Sequence, residues 1–474
     1  MTENGAISLS TTGNACVNLF FKLTRDVSNN VYFKKWIDES MRENPLTTMK
    51  ILFHGRDCRG GKGDRHTFIR AMEYIYTNYR ECWDLNIEHI PEYGRYLDWI
   101  EMYIHQPIIV EHIIRILKQD ITNMENGQAV TLLAKWLPSE KKKWNLKTNI
   151  LEDICKSLYN VRNVTTFHYK MLRVNYISPL RSYLKIVEKY MCEGKWDEIE
   201  FSKVPSIAMH RLKKAFERNA IEEFTAWKCS GARVNASQID PHQLVRIYMS
   251  NRRYDEVIEA QWREIEANTI SLKDTLVLSD VSGSMAGVPM EVSIALGILI
   301  SSVAEEPFHN SIITFSENPT FHKIPNTCIT LRDKVANVMN MQWGGNTNLF
   351  CVFNLILTHA KTFNLEADKM PKRLIILSDM QFDYAAPNST NFQVINDLYR
   401  NAGYTRPEIV FWNLRADTTS DFPVEFGENG VALISGYRTS ILKAIISGKD
   451  FTPYDIMQAA INDTRYDRIR ATST

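Results

Sequence analysis

Directly after the apolar run Leu276-Val277-Leu278-Ser279, the chain places Asp280, Ser282 and Ser284 at two-residue spacing, so one strand end delivers a carboxylate and two hydroxyls to a single loop. Hard oxygens of this kind suit a Mg²⁺-sized cation, which takes near-octahedral oxygen ligands, keeps several waters and uses only one or two carboxylates. Zinc and copper prefer Cys and His, and the loop has neither. Two later segments extend the set. Thr347 follows the flexible lead Trp343-Gly344-Gly345-Asn346, and Asp379 ends a second strand-like run, Arg373-Leu374-Ile375-Ile376-Leu377-Ser378. Asp280, Ser282, Ser284, Thr347 and Asp379 are therefore the expected ligands of Mg²⁺, with Mn²⁺ as the alternative. The plainer reading has Asp280 and Ser282 capping the next helix, a role both residue types favour. Recurrence of the strand-then-oxygen pattern in separate segments weighs against it. A phosphoaspartate hydrolase would need a second acid two residues after the first, where this chain has Ser282.

The stretch Arg162, Phe167, His168, Tyr169, Lys170, Arg173, Tyr176, Arg181, Tyr183 and Lys185 mixes cations with aromatic rings. Cations meet phosphates and aromatic faces stack on unpaired bases, so the mixture suits single-stranded RNA. At helical spacing the same aromatics also read as core and the cations as a solvated face. Lys170, Arg173, Arg181 and Lys185 are the first candidates for nucleic-acid contact. Arg59, Lys62 and Arg65 come next, from Arg56-Asp57-Cys58-Arg59-Gly60-Gly61-Lys62-Gly63-Asp64-Arg65, whose glycines free backbone N–H groups to face an anion. This is no P-loop: neither Ser nor Thr follows Lys62, and Asp64 would repel a bound phosphate. The competing reading is a tight turn with Asp64 capping a helix over 65–78.

No GxSxG, HExxH or Cys–His arrangement is present, so no catalytic residue is expected and the chain reads as a non-enzyme. At 474 residues it exceeds one ordinary core, and 44% apolar with 23% charged residues is the composition of a soluble globular protein. Eight cysteines without a CxxC pair indicate neither a disulfide framework nor a zinc site, which fits a reducing intracellular compartment. Met1-Thr2-Glu3-Asn4-Gly5 lacks the basic-then-apolar start of a signal peptide. The longest apolar run, Val292 to Ala304, is too short and too serine-interrupted to span a bilayer, so no membrane contact and a cytoplasmic location are expected. Net charge is +5 over 1–270 and −4 over 271–474, too mild to predict nucleic acid by itself.

From about residue 271, short β-branched runs at 275–279, 311–315, 320–324, 373–378, 408–414 and 431–434 alternate with helical stretches. That alternation predicts an α/β doubly wound domain over 271–474, with ligands beyond the carboxyl ends of its strands. Residues 1–270 show helical periodicity instead. One stripe is Phe68, Met72, Ile75, Tyr76 and Tyr79, and roughly ten helices fit between the breaks. The expected protein is multidomain: an all-α, HEAT-like helical array followed by the α/β unit, joined near Glu266–Lys273.

The five oxygen-bearing residues, in the order Asp-x-Ser-x-Ser, Thr, Asp, resemble the metal-ion-dependent adhesion site of von Willebrand factor A domains. The segments Arg56 to Arg65, Leu133-Ala134-Lys135-Trp136-Leu137-Pro138-Ser139, Val204-Pro205-Ser206, Trp343 to Asn348 and Leu377 to Asp383 resemble a poorly characterised family of plants, amoebae and large DNA viruses. More distantly, the domain order is similar to that of TROVE proteins such as the Ro autoantigen, where HEAT-like helices and an A domain form an RNA-binding ring. These resemblances imply a non-enzymatic RNA-binding protein whose A domain holds Mg²⁺ and accepts a carboxylate from a protein ligand. A viral member would work in the host cytoplasm or the virion. The alternative is a protein-interaction scaffold without an RNA role.

Overall fold

The structure is a computed structural model and describes residues 8–25, 27–103, 108–140, 143–231, 234–314, 319–341, 348–362, 366, 369–382, 391–415, 422–447 and 451–472. A helix-rich N-terminal region precedes a mixed α/β region. The sheet strands are β1 (Thr275–Ser279), β2 (Ser311–Thr314), β3 (Phe321–Lys323), β4 (Arg373–Ser378), β5 (Glu408–Asn413) and β6 (Val431–Ser435). Their order is β3-β2-β1-β4-β5-β6, all neighbours parallel except the β2–β3 edge pair. Every residue of β1 and β6 is buried. A parallel sheet covered on both faces requires apolar runs without polar alternation, and the sequence supplies them. The helix Val288–Val303 packs on β1 so closely that a Cβ on Gly297 would lie 2.2 Å from Ser279 Oγ.

Strand order reverses direction between β1 and β4, and the crevice at such a switch point lies beyond the carboxyl ends of those two strands. Asp280 and Asp379 are the residues that follow β1 and β4. Their position therefore comes from topology as well as from sequence.

Ahead of β1 the described residues form eighteen α-helices, more and shorter than the periodicity suggests. Tyr79 and Ala220 each end one helix and open the next. Of the predicted stripe, Phe68, Met72 and Ile75 are buried in the helix Arg65–Asn78, while Tyr76 and Tyr79 are half-buried at its margin. No described helix is long and apolar enough to cross a membrane.

One continuous apolar core runs from Cys16 to Ile469 and takes in side chains of both regions. A smaller aromatic cluster, with Phe201, Phe216 and Phe224 at its centre, fills a lobe of its own. Polar clasps cross between the regions. Asp57, fully buried, accepts from Arg465 Nε at 2.8 Å, Arg465 Nη2 at 3.1 Å and Tyr466 Oη at 3.0 Å. Asp240 pairs with Arg25 and, at 2.8 Å, with Arg438. Glu259 accepts from the amides of Leu331 at 2.8 Å and Arg332 at 3.1 Å, capping the helix Leu331–Met339 from outside. The glycine-rich segment 56–65 lies at the centre of these clasps. Its Asp64 caps the helix Arg65–Asn78 by accepting from the Thr67 amide at 3.2 Å.

Candidate metal centre and nucleic-acid surface

Asp280 is held rigidly at the end of β1. Its amide donates to Leu377 O at 3.0 Å, its Oδ1 accepts from the Ser282 amide at 2.9 Å, and its Oδ2 accepts from Ser378 Oγ at 2.7 Å. Ser282 Oγ and Ser284 Oγ lie 3.0 Å apart. Across the crevice, Asp379 Oδ1 accepts from the Gln381 amide at 3.2 Å, while the buried Oδ2 has no hydrogen-bond partner among the described residues. Met380 takes a left-handed conformation with φ of 67°, which turns the chain sharply behind Asp379. Arg415 donates to the Ser284 carbonyl and braces the serine loop from the β5 side.

Both carboxylates are fully buried. Burial, reinforced by the charge of Asp379, pushes Asp280 up to about 6 against the hydrogen bonds from Ser378 and Ser282. Two buried carboxylates, one with an unpartnered oxygen, beside two hydroxyls form a donor set that matches a hard cation. No described group of three or more His, Cys, Asp or Glu is placed to hold a metal. Thr347, the fifth expected ligand, lies outside the described residues.

A raised carboxyl pKa favours the fold fully below the unfolded value near 4, and that contribution is lost as pH rises through about 6. With chelator at pH 7.5, Asp280→Asn should therefore stabilise the protein, by on the order of 2 kcal/mol. Thermal melts in EDTA check this. A variant less stable than wild type under those conditions would show that the two carboxylates do not oppose one another.

The seven cationic candidates fall into two groups. Lys170, Arg173 and Lys185 are exposed, as is Phe167, which is 63% exposed. Arg59 is exposed too, although its Nη1 donates to Glu92 O at 2.6 Å. Arg181 is half-buried, donating from Nε to Ala134 O at 2.9 Å and from Nη2 to Leu137 O at 2.8 Å. Arg65 pairs with Asp98 at 2.6 Å and with Glu101.

Lys62 is 3% exposed and sits inside the clasp. Its Nζ donates to Phe20 O at 2.5 Å, Leu23 O at 2.9 Å and Ser435 Oγ at 2.6 Å. Burial pushes it down to about 7, yet three acceptors match the three N–H groups of an ammonium, and Asp64 pulls the other way. A surface phosphate cannot reach it.

Two features of these sites escaped sequence reasoning. Ser378 supports Asp280, and the doublet Ser378-Asp379, mirroring Ser279-Asp280, was a signal that could have shown it. Arg415 carried no signal, since its role depends on the β5 end lying beside the serine loop.

Comparison with known proteins matches residues 2–93 and 109–278 to the family described as Domain of unknown function (DUF2828), and residues 274–471 to Domain of unknown function (DUF7788). An uncharacterized protein of Acanthamoeba polyphaga mimivirus is 30% identical over 502 residues, covering 96% of this chain and 86% of its own length. The chain therefore belongs to the DUF2828 family, which it shares with a protein of a large DNA virus.

Proposed function

We propose that this is a non-enzymatic binding protein with two surfaces: a Mg²⁺ centre at the β1–β4 switch point, and an RNA-contact face on the helical region. The unpartnered Asp379 oxygen facing the raised Asp280 carboxyl carries the first part. Asp280, Ser282, Ser284 and Asp379 would hold the cation, with Thr347 the expected fifth ligand. Mg²⁺ bound there would serve to take up a carboxylate of a partner protein. The strand order and the placement of both aspartates support reading the sheet region as von Willebrand factor A-like; the HEAT-like reading of the helical region stays a proposal. The cytoplasm of an infected cell, or a virion, suits the mimivirus relative.

Exposed Lys170 and Arg173 on the helix that carries exposed Phe167, with exposed Lys185 beyond its far end, support the RNA face. One observation favours a scaffold without RNA: Arg181, Arg65 and Lys62 direct donors to protein groups, which thins the cationic surface. Calorimetry should show Mg²⁺ binding to wild type and none to Asp280→Ala. Filter binding to mixed small RNAs should weaken with salt at a slope of about −0.7 per phosphate contact. A wild-type protein that takes up no Mg²⁺ or Mn²⁺ removes the first part, and one that retains no RNA at low salt leaves the scaffold.

A further inference from the structure

The helical region holds a cavity of about 280 Å³ between the helix Ile150–Tyr159, the helical stretch that runs from Thr166–Leu172 on to Arg181, and residues 138–140. Its floor is apolar, with Leu151 and Ile177 buried beneath it. Tyr169 forms a half-buried wall, Arg173 and Arg181 stand on one side, and Glu140 lies at the rim. The Arg173 side chain is exposed, and its guanidinium has no ion-pair or hydrogen-bond partner among the described residues.

The backbone explains why these side chains line up. Tyr169, Arg173, Ile177 and Arg181 are spaced by four residues, and a 3.6-residue turn overshoots by about 40° at each such step. Between Arg173 and Ile177 the chain forms a π-turn, with the Ser178 amide donating to Arg173 O. Its wider i→i+5 closure takes up part of the overshoot and keeps the four residues on one face. An α-helix throughout would rotate Arg181 away from Tyr169. Single π-turns inside α-helices often sit at functional sites, and here the turn frames the cavity.

We propose that this cavity receives one unstacked nucleobase of single-stranded RNA, with the base against Tyr169, its 5′ or 3′ phosphate on Arg173, and Glu140 accepting from an exocyclic amine. The proposal rests on the RNA reading above and specifies where and how a strand is gripped. A flat aromatic wall over an apolar floor fits a π-face, which every base presents. A duplex is excluded, because its bases are stacked and paired. Glu140 adds a preference: cytosine and adenine carry an amine for it, whereas uracil presents carbonyl oxygens that its charge repels.

Fluorescence anisotropy with labelled ten-nucleotide rC, rA and rU tests the site. Wild type should bind rC and rA more tightly than rU, by about five-fold or more. Arg173→Ala, a change at an exposed residue, should weaken all three about equally and lower the salt slope by about 0.7. Tyr169→Ala should weaken rC and rA by about ten-fold or more, and Tyr169→Phe should restore them. Glu140→Gln should close the gap between rC and rU. Wild-type binding that Arg173→Ala and Tyr169→Ala leave intact overturns the cavity while keeping the RNA reading. Wild type that binds none of the oligomers overturns both. Competition by poly-glutamate equal to that by rC would reduce the site to bare charge and also overturn it.

Discussion

Asp57→Ala should lower unfolding free energy by about 1–3 kcal/mol, the range for leaving a buried hydrogen-bond partner unsatisfied. The carboxylate is fully buried and takes two hydrogen bonds from Arg465, one from Tyr466 and one from the Arg59 amide at 2.9 Å. Its loss leaves the Tyr466 hydroxyl, on a side chain 1% exposed, without an acceptor that water could replace. Gly61→Ala should be at least as damaging, since its Cβ would meet His54 O at 2.0 Å. Urea unfolding followed by circular dichroism measures both. The two regions share one core, so a single transition should move as a unit. An unmoved midpoint for Asp57→Ala would show that the Arg465–Tyr466 segment adds nothing to stability.

Acid should unfold this protein early, and two buried histidines are the reason. His54 is 1% exposed and His242 is 3% exposed, and in both the Nδ1 lacks a hydrogen-bond partner among the described residues. Burial pushes His54 down to about 3, helped by the nearby charge of Lys62, and pushes His242 down to about 4 despite Asp240. Both groups therefore fold neutral and charge on unfolding. Their contribution is complete above the unfolded value near 6.5 and is lost as pH falls toward the folded values. By pH 4 the expected loss is about 3 kcal/mol for each, from 1.36 kcal/mol per unit of pKa. His54→Leu keeps an apolar fill of the same cavity and should flatten the acid limb of a plot of urea midpoint against pH. Parallel limbs for wild type and variant would remove His54 from the explanation.

The sheet was readable from sequence because a parallel strand buried on both faces must be a short apolar run, and the runs at 275–279 and 373–378 are β1 and β4 to the residue. Asp280 and Asp379 were readable for the same reason: each ends such a run. The helical region was less legible. Helix limits there depend on single residues such as Tyr79, whose cap role follows from backbone angles and not from residue type. Lys62 misled, since a lysine among glycines reads as an exposed anion loop. Its acceptors come from Phe20, Leu23 and Ser435, and no local pattern announces a partner 373 positions away. The π-turn at Arg173–Ile177 was equally silent, because no residue type marks it.

The clasp at residues 56–65 also sets a timetable for synthesis. Asp57 leaves the ribosome about 400 residues before Arg465 and Tyr466, the separations being 408 and 409. At roughly 5–20 residues per second, the nascent chain carries that carboxylate for roughly 20–80 s without Arg465 and Tyr466, while Lys62 lacks only the Ser435 hydroxyl among its three acceptors. A helical region released by a premature stop would leave the Asp57 carboxylate without Arg465 permanently, beside apolar surface meant for β6. Ribosome-bound intermediates of this length should therefore be protease-sensitive and engage chaperones, until the segment from Ser435 to Arg470 has emerged to close the clasp.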